Sequence, residues 1–144
     1  MAVSHERIAG LIPHHGAMCL LHEVLQVDDE GITCRAVSHR NSDHPLREDG
    51  VLPALSGIEY AAQAMAVHGA LRESRGPRPG MLAAVRDVVF RVERLDDIPD
   101  DLVITARRLL DDSSRLMYEF DVRAGNRELL RGRAVVVLGA GGAV

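Results

Sequence analysis

The sequence contains no lysine and no tryptophan, and only two of its 144 residues are cysteine. All 17 basic residues are therefore arginine, and 21 acidic residues leave a formal net charge of -4. A chain with this charge lacks the basic surface that binds nucleic-acid phosphates, so we do not expect nucleic acid as a partner. Cys19 and Cys34 show no motif spacing, which predicts a reduced, cytoplasmic compartment.

No apolar run in the sequence is long enough and uninterrupted enough to cross a membrane. The longest nearly apolar stretch, residues 52–71, contains Glu59, Gln63 and His68, which are costly in hydrocarbon. The first residues carry no apolar segment behind a basic one, so we expect no signal peptide. With 47% apolar residues, the chain is expected to form a single domain over residues 1–144 around one core.

The sequence also lacks a metal-binding motif. His14 and His15 are adjacent, but neighbouring side chains rarely point at one ion, and no HxxxH or CxxC motif supplies further ligands. We therefore expect no metal site. Of the other histidines, we expect His5 and His39 at the surface and His68 as a helix histidine with a hydrogen-bond partner.

Hydrophobic periodicity predicts one long helix and several strands. Residues 54–72 are apolar on almost all sides, which is typical of an enclosed helix, and Pro53 suits its first position. A short helical turn is expected at residues 4–9. Strands are predicted over residues 32–37, 81–92, 102–109, 116–123 and 129–138, and a strand or a strand plus a bend over residues 18–27. The economical arrangement is an α+β fold, in which an antiparallel sheet of five to six strands wraps around one long central helix. A second copy would cover an edge of such a sheet.

One histidine and one carboxylate flank the start of the long helix. His44 lies in the preceding loop, fifteen residues before Glu59. Imidazole suits a general base near neutral pH, and a carboxyl group becomes a general acid when desolvation raises its pKa. Backbone N–H groups around Ala54 and Leu55 are placed to hold a developing oxyanion. A loop histidine and a partnered acid without catalytic roles explain the same residues.

The segment from His44 to Gln63 resembles the signature of the hotdog-fold beta-hydroxyacyl-acyl carrier protein dehydratases. In that family a histidine-led HFPG loop precedes a PGVLxxEAxAQ helix. Pro53, Glu59 and Gln63 have the family's spacing from one another, whereas the spacing from His44 to Glu59 is longer by one. Here the loop reads HPLR, and Ala54 replaces the glycine whose N–H holds the thioester oxygen.

The resemblance extends over most of the chain. Residues 11–21 resemble the family's LPHR opening and first strand, and residues 79–86 resemble the strand after the helix. The pattern DHP…LPAL.GIEYAAQ is most similar to dehydratases of aryl-polyene and related polyketide-like gene clusters.

The resemblance implies dehydration of a 3-hydroxyacyl thioester of acyl carrier protein or CoA to the trans-2-enoyl product. His44 would remove a proton from C2 and Glu59 would protonate the leaving hydroxyl. The expected desolvating neighbours of Glu59 are Leu55, Ile58, Ala62 and Met65. The implied site comprises His44, Glu59, the backbone of Ala54 and Leu55, and the supporting residues Pro53 and Gln63. The acyl chain would lie in an apolar slot between helix and sheet. No cofactor is implied because the elimination is redox-neutral.

The same resemblance implies a homodimer or higher oligomer, in which His44 and Glu59 of one site come from different chains. A heteromer with another hotdog subunit is also compatible. An acidic carrier protein would need arginines near the entrance, for which Arg75, Arg78 and Arg86 are candidates. Two other functions fit the sequence: a hotdog acyl thioesterase that uses Glu59 to activate water, and a non-catalytic partner subunit of a heteromeric dehydratase.

Overall fold

The computed structural model describes residues 3–11, 18–72, 80–112 and 114–138. His14, His15, Arg75 and Arg78 lie outside these residues. The described chain contains a short helix α1 (His5–Leu11) and a long helix α2 (Gly57–Arg72), and α2 is preceded by a 3-10 turn, Ala54–Ser56.

Within the described residues, seven strands form one sheet in which every neighbouring pair is antiparallel. The strands are β1 (Val3–Ser4), β2 (Glu23–Val27), β3 (Gly31–Ala36), β4 (Gly80–Phe90), β5 (Leu102–Asp111), β6 (Arg115–Ala124) and β7 (Arg127–Leu138). Their order across the sheet is β1-β2-β3-β5-β6-β7-β4. The predicted α+β arrangement around one long helix is confirmed, with the two-residue β1 as a strand that the sequence pattern did not reveal.

The core lies between α2 and the sheet face that it covers, chiefly β3, β5 and β6. Alternate side chains of a strand point to one face, so this face of the sheet is apolar. In β6 the side chains of Leu116, Tyr118, Phe120 and Val122 are buried, as the alternation predicts, and Ala124 continues the same face. Each fully buried leucine or isoleucine in this core contributes roughly 1.5–3 kcal/mol to folding.

His68 anchors the second half of α2 to the sheet. Its Nδ1 accepts a hydrogen bond from the Tyr118 hydroxyl over 2.7 Å, and its Nε2–H donates to the Asp28 carbonyl oxygen over 2.8 Å. The carbonyl can only accept, which fixes this direction. The expectation that His68 has a hydrogen-bond partner is confirmed. Its two hydrogen bonds join the helix to β6 and to the β2–β3 turn.

Three local expectations were wrong. Pro53 is not the first helical residue but the extended residue before the 3-10 turn, with φ -66° and ψ 151°. Of the two alternatives for residues 18–27, the continuous strand is wrong: residues 18–22 are not strand, because the Gln63 side chain binds the backbone of Met18 and Leu20 that a strand partner would otherwise bind. His39 is fully buried, because its Nε2 binds two backbone carbonyls in the turn before β5.

Because α2 packs closely against β7, replacing two different glycines of α2 by alanine should change the stability of the protein in opposite directions. A Cβ on Gly57 would lie 2.5 Å from Cδ2 of the fully buried Leu130, whereas a Cβ on Gly69 would meet nothing within 4 Å. We expect Gly57→Ala to lower the free energy of unfolding by roughly 1–3 kcal/mol through overpacking. Gly69→Ala should raise it by roughly 0.5–1 kcal/mol, because glycine loses more backbone entropy in a helix. Urea unfolding measures both, and equal effects would contradict this packing.

Candidate functional site

His44 lies in a tight loop that holds its ring beside the start of α2. The loop is closed by hydrogen bonds from the His44 N–H to the Asn41 carbonyl (3.2 Å) and from the Arg47 N–H to the His44 carbonyl (3.1 Å). The residue is only 6% exposed. Its Nδ1 accepts the Leu46 N–H over 3.0 Å, and its Nε2 lies 3.0 Å from the Tyr60 hydroxyl. Both ring nitrogens are therefore hydrogen-bonded.

Tyr60 and Ser38 extend this contact into the core. The Tyr60 hydroxyl is 2.7 Å from Ser38 Oγ, which donates to the Leu20 carbonyl over 2.8 Å. Tyr60 is fully buried on α2. Neither residue was among the predicted site residues, although a tyrosine beside Glu59 on an enclosed helix signals a hydroxyl that needs a buried partner.

The environment of His44 favours the neutral ring. Burial lowers its pKa, the nearby cationic side chain of Arg47 and the His39 ring lower it further, and Asp43 opposes them. Burial also raises the pKa of Tyr60 to about 12, so its hydroxyl keeps its proton at neutral pH. The environment thus favours a neutral His44 ring and a protonated Tyr60 hydroxyl near pH 7.

A cavity of about 260 Å³ opens beside the His44 ring. It is formed by the start of α1, the segment 19–22 and the loop 37–45. Among the residues that the structure describes, His44 and Ser38 line this cavity and Glu59 does not.

Glu59 points elsewhere because it neighbours Tyr60 on the helix. Successive helical side chains are about 100° apart around the axis, and Tyr60 takes the direction towards His44. Glu59 is half-buried, and its Oε1 lies 3.4 Å from Gln63 Nε2. That amide also donates to the Met18 carbonyl (2.7 Å) and accepts the Leu20 N–H (2.9 Å). Gln63 thus connects the carboxylate to the segment that borders the cavity.

The helix start differs from the predicted oxyanion site in one respect. The Ala54 N–H already donates to the Glu93 carbonyl over 3.0 Å, and Ala54 is buried. Leu55 is 64% exposed. No hydrogen bond from the Leu55 N–H to another part of the described chain is seen. Pro53 supports the turn, because its carbonyl accepts the Ser56 N–H over 2.9 Å.

Within residues 3–11, 18–72, 80–112 and 114–138, no group of three or more histidine, cysteine, aspartate or glutamate side chains is arranged to hold a metal ion. In the same residues, no helix has the length and apolar character needed to span a membrane. Both cysteines are free and buried.

Comparison with known proteins identifies one family. A family model described as ApeP-like, the ApeP dehydratase, matches residues 6–139. No curated protein matches the chain. Among solved structures, the chain is similar to the dehydratase heterocomplex ApeI:P from Xenorhabdus doucetiae, with 27% identity, a TM-score of 0.79, and coverage of 96% of this chain and 93% of that one.

Two more distant structures share the fold alone. S. sahachiroi AziG is 13% identical with a TM-score of 0.66, covering 89% of this chain and 97% of its own. Zebra fish thioesterase superfamily member 2 is 16% identical with a TM-score of 0.66, covering 94% and 95%. The predicted hotdog fold is confirmed.

Three histidines that are buried in the described part of the chain give a pH-dependence of stability. Burial lowers the pKa of His39, His44 and His68 in the folded protein below the ordinary value. The unfolded chain therefore binds more protons below about pH 6.5, and stability should fall as pH drops from about 6.5 towards the folded values. Urea unfolding at about pH 7.5 and about pH 5.5 measures this loss. His68→Gln should reduce the difference and the exposed His22→Gln should not; an unchanged difference in His68→Gln would contradict the assignment.

Proposed function

Because the chain belongs to the ApeP-like dehydratase family, we propose that it dehydrates 3-hydroxyacyl thioesters of acyl carrier protein or CoA to trans-2-enoyl thioesters. Its place would be in the cytoplasm, in aryl-polyene or polyketide-like biosynthesis. The observation that carries the proposal is the buried His44, whose pKa is lowered and whose ring borders a cavity at the start of the helix that bears Glu59.

The elimination needs a base for C2 and an acid for the hydroxyl on C3. Neutral His44 would take the C2 proton while negative charge moves onto the thioester oxygen. Glu59, in its protonated form, would give its proton to the C3 hydroxyl. The C–O bond would then break and water would leave. The C2–H electrons become the new double bond, which makes the step redox-neutral and independent of a cofactor.

The thioester oxygen needs hydrogen-bond donors as its charge grows. We assign this contact to the Leu55 N–H, which lies in the first turn at the helix start, where N–H groups lack intrahelical partners. The Ala54 N–H can join it only by exchanging its bond to the Glu93 carbonyl. In the proposal, Gln63 orients the Glu59 carboxyl and Pro53 holds the turn.

A complete site is proposed to need two subunits. His44 borders a cavity from which Glu59 of the same chain is turned away, so a second chain would supply the Glu59 that faces this His44. The edge strand β4 is the surface proposed for pairing: it is bonded only to β7 in the described sheet. Its first half is apolar and exposed, with Met81 72% and Leu82 37% exposed. An unpaired apolar edge of this kind is a template for another strand.

The partner is either a second copy or another hotdog subunit. Another hotdog subunit is favoured as the partner by one observation: the similar ApeI:P structure is a heterocomplex. In this alternative the chain is a supporting subunit that gains activity only when joined to its partner.

We further propose that Arg86 takes part in docking an acidic carrier protein. Arg86 on β4 is exposed and lies directly opposite Arg133 on β7. Like charges directly opposite on a sheet repel, and an anionic partner would relieve that repulsion.

Purified protein, alone and with a second hotdog subunit, tests the reaction through the ultraviolet absorbance of the enoyl thioester. His44→Ala and Glu59→Gln should each lower the rate about 100-fold or more, since each removes one side of the acid–base pair. The exposed Glu30→Gln is the matched control and should keep the rate. Full activity in either site variant would refute its assigned role. Release of free thiol without enoyl product would indicate a thioesterase.

Subunit pairing is tested separately by light scattering after size-exclusion chromatography. Met81→Glu places a charge on the apolar half of β4 and should shift the dimer, or the complex with a second subunit, towards monomer. Leu110→Glu, an equally drastic change at an exposed leucine of β5, is the control and should leave assembly intact. Assembly that survives Met81→Glu unchanged would place the interface on another surface.

A further inference from the structure

We propose that Tyr60 and Ser38 are positioning residues for His44, whose hydroxyls hold the imidazole proton on Nε2 and leave Nδ1 to receive the substrate proton. The role of Nδ1 rests on the proposed dehydration, whereas the location of the resting proton does not. Tyr60 is fully buried and does not line the cavity, whereas Ser38 lines it and contacts His44 only through Tyr60. Their effect would pass through the histidine ring.

The hydrogen bonds run in a row from the Leu46 N–H through His44, Tyr60 and Ser38 to the Leu20 carbonyl. The two groups at the ends of this row set the direction of every hydrogen bond in it. At one end the Leu46 N–H can only donate, so Nδ1 of His44 must present its lone pair. At the other end the Leu20 carbonyl can only accept, so the Ser38 hydroxyl donates to it.

The central bonds follow from those ends. With its proton committed to Leu20, Ser38 Oγ accepts from the Tyr60 hydroxyl over 2.7 Å. The Tyr60 oxygen is then free to accept the Nε2–H of His44 over 3.0 Å. All four bonds are satisfied by this one arrangement of protons.

The opposite arrangement is excluded by repulsion. A proton on Nδ1 would face the Leu46 N–H, which places two donors 3.0 Å apart in a site where His44 is only 6% exposed. Nε2 would at the same time need a proton from Tyr60, which would leave Ser38 Oγ without the donor that it receives now. A buried polar group without its partner costs roughly 1–3 kcal/mol.

The arrangement also specifies what happens when His44 acts as a base. The C2–H bond of the substrate breaks, an Nδ1–H bond forms, and the Leu46 N–H must swing away from Nδ1. The Nε2–H bond to Tyr60 is kept and becomes stronger, because its donor now carries positive charge. Tyr60 thereby stabilises the imidazolium form, while the loop containing Leu46 yields.

The other groups that face the His44 ring are two cationic or titratable side chains and one carboxylate. Arg47 and His39 oppose a positive charge on His44, and Asp43 favours it. From α2, Tyr60 faces the ring as a neutral hydroxyl, because burial holds its pKa at about 12. Removal of the Tyr60 hydroxyl therefore takes away an acceptor for the imidazolium without altering a charge.

The experiment compares two buried tyrosines that each bind a histidine. Tyr60→Phe removes the acceptor for His44, and Tyr118→Phe removes the matching hydroxyl at His68, which is bound on the other side of the core. Nitrogen-15 NMR of the histidine rings, with the His44 signal assigned from His44→Gln, reports the tautomer and the titration midpoint.

We expect the parent protein to show His44 protonated on Nε2. Tyr60→Phe should shift the His44 midpoint to lower pH, lower kcat roughly ten- to a hundredfold, and move the acidic limb of kcat/KM to lower pH. Tyr118→Phe, assayed below its unfolding temperature, should leave all three unchanged. Ser38→Ala should change them in the same direction as Tyr60→Phe but less, since Tyr60 can still accept from His44.

Three results would overturn the inference: a parent His44 protonated on Nδ1, a His44 midpoint that Tyr60→Phe leaves in place or raises, or equal effects of the two tyrosine variants. If Tyr60→Phe does not fold, Ser38→Ala decides by the same measurements. If the parent protein has no dehydratase activity, the tautomer and the titration midpoint still test the positioning, and only the proposed function fails.

Discussion

The burial of an apolar helix inside a curled sheet is the constraint on which the other features of this protein depend. Polar groups on such a helix cannot reach water, and each one costs free energy unless it finds a partner. Three buried polar side chains of α2 do so with distant segments. Tyr60 reaches the His44 loop, Gln63 reaches residues 18–20, and His68 reaches the β2–β3 turn. The helix therefore positions the segments around it through its polar residues as well as through its apolar ones.

This arrangement explains why the candidate site is formed where it is. The His44 loop, the segment 18–20 and the start of α2 share no sheet pairing, yet they meet because side chains of one helix bind all of them. Glu59 and Tyr60, adjacent in sequence, are directed apart by the helical rotation, towards Gln63 and His44 respectively. The two halves of the proposed acid–base pair would thus lie at two different surfaces of one chain. That division is the physical reason for expecting the assembled unit, and not the isolated chain, to be the functional one.

Much of the fold follows from local patterns in the sequence. The six longer strands and both helices were predicted, with ends displaced by a few residues, because periodicity and turn residues act over short stretches. The partnered state of His68 was also predicted, since a polar residue in an apolar helix needs a hydrogen bond. The errors share a cause. Pro53, His39 and residues 18–22 were assigned from their immediate neighbours, but their conformations depend on contacts with segments further along the chain.

The sequence by itself determined the fold class, the enclosed helix and a segment from His44 to Gln63 in which Pro53, Glu59 and Gln63 have the spacing of a dehydratase family. Only the tertiary structure decided the state of those residues. The Tyr60 and Ser38 hydroxyls beside His44, and the bond of the Ala54 N–H to Glu93, join positions 16 to 39 residues apart in the chain. Residue type reports what a side chain can donate or accept, but the partner, and with it the position of the proton, is set by which segments the folded core brings together.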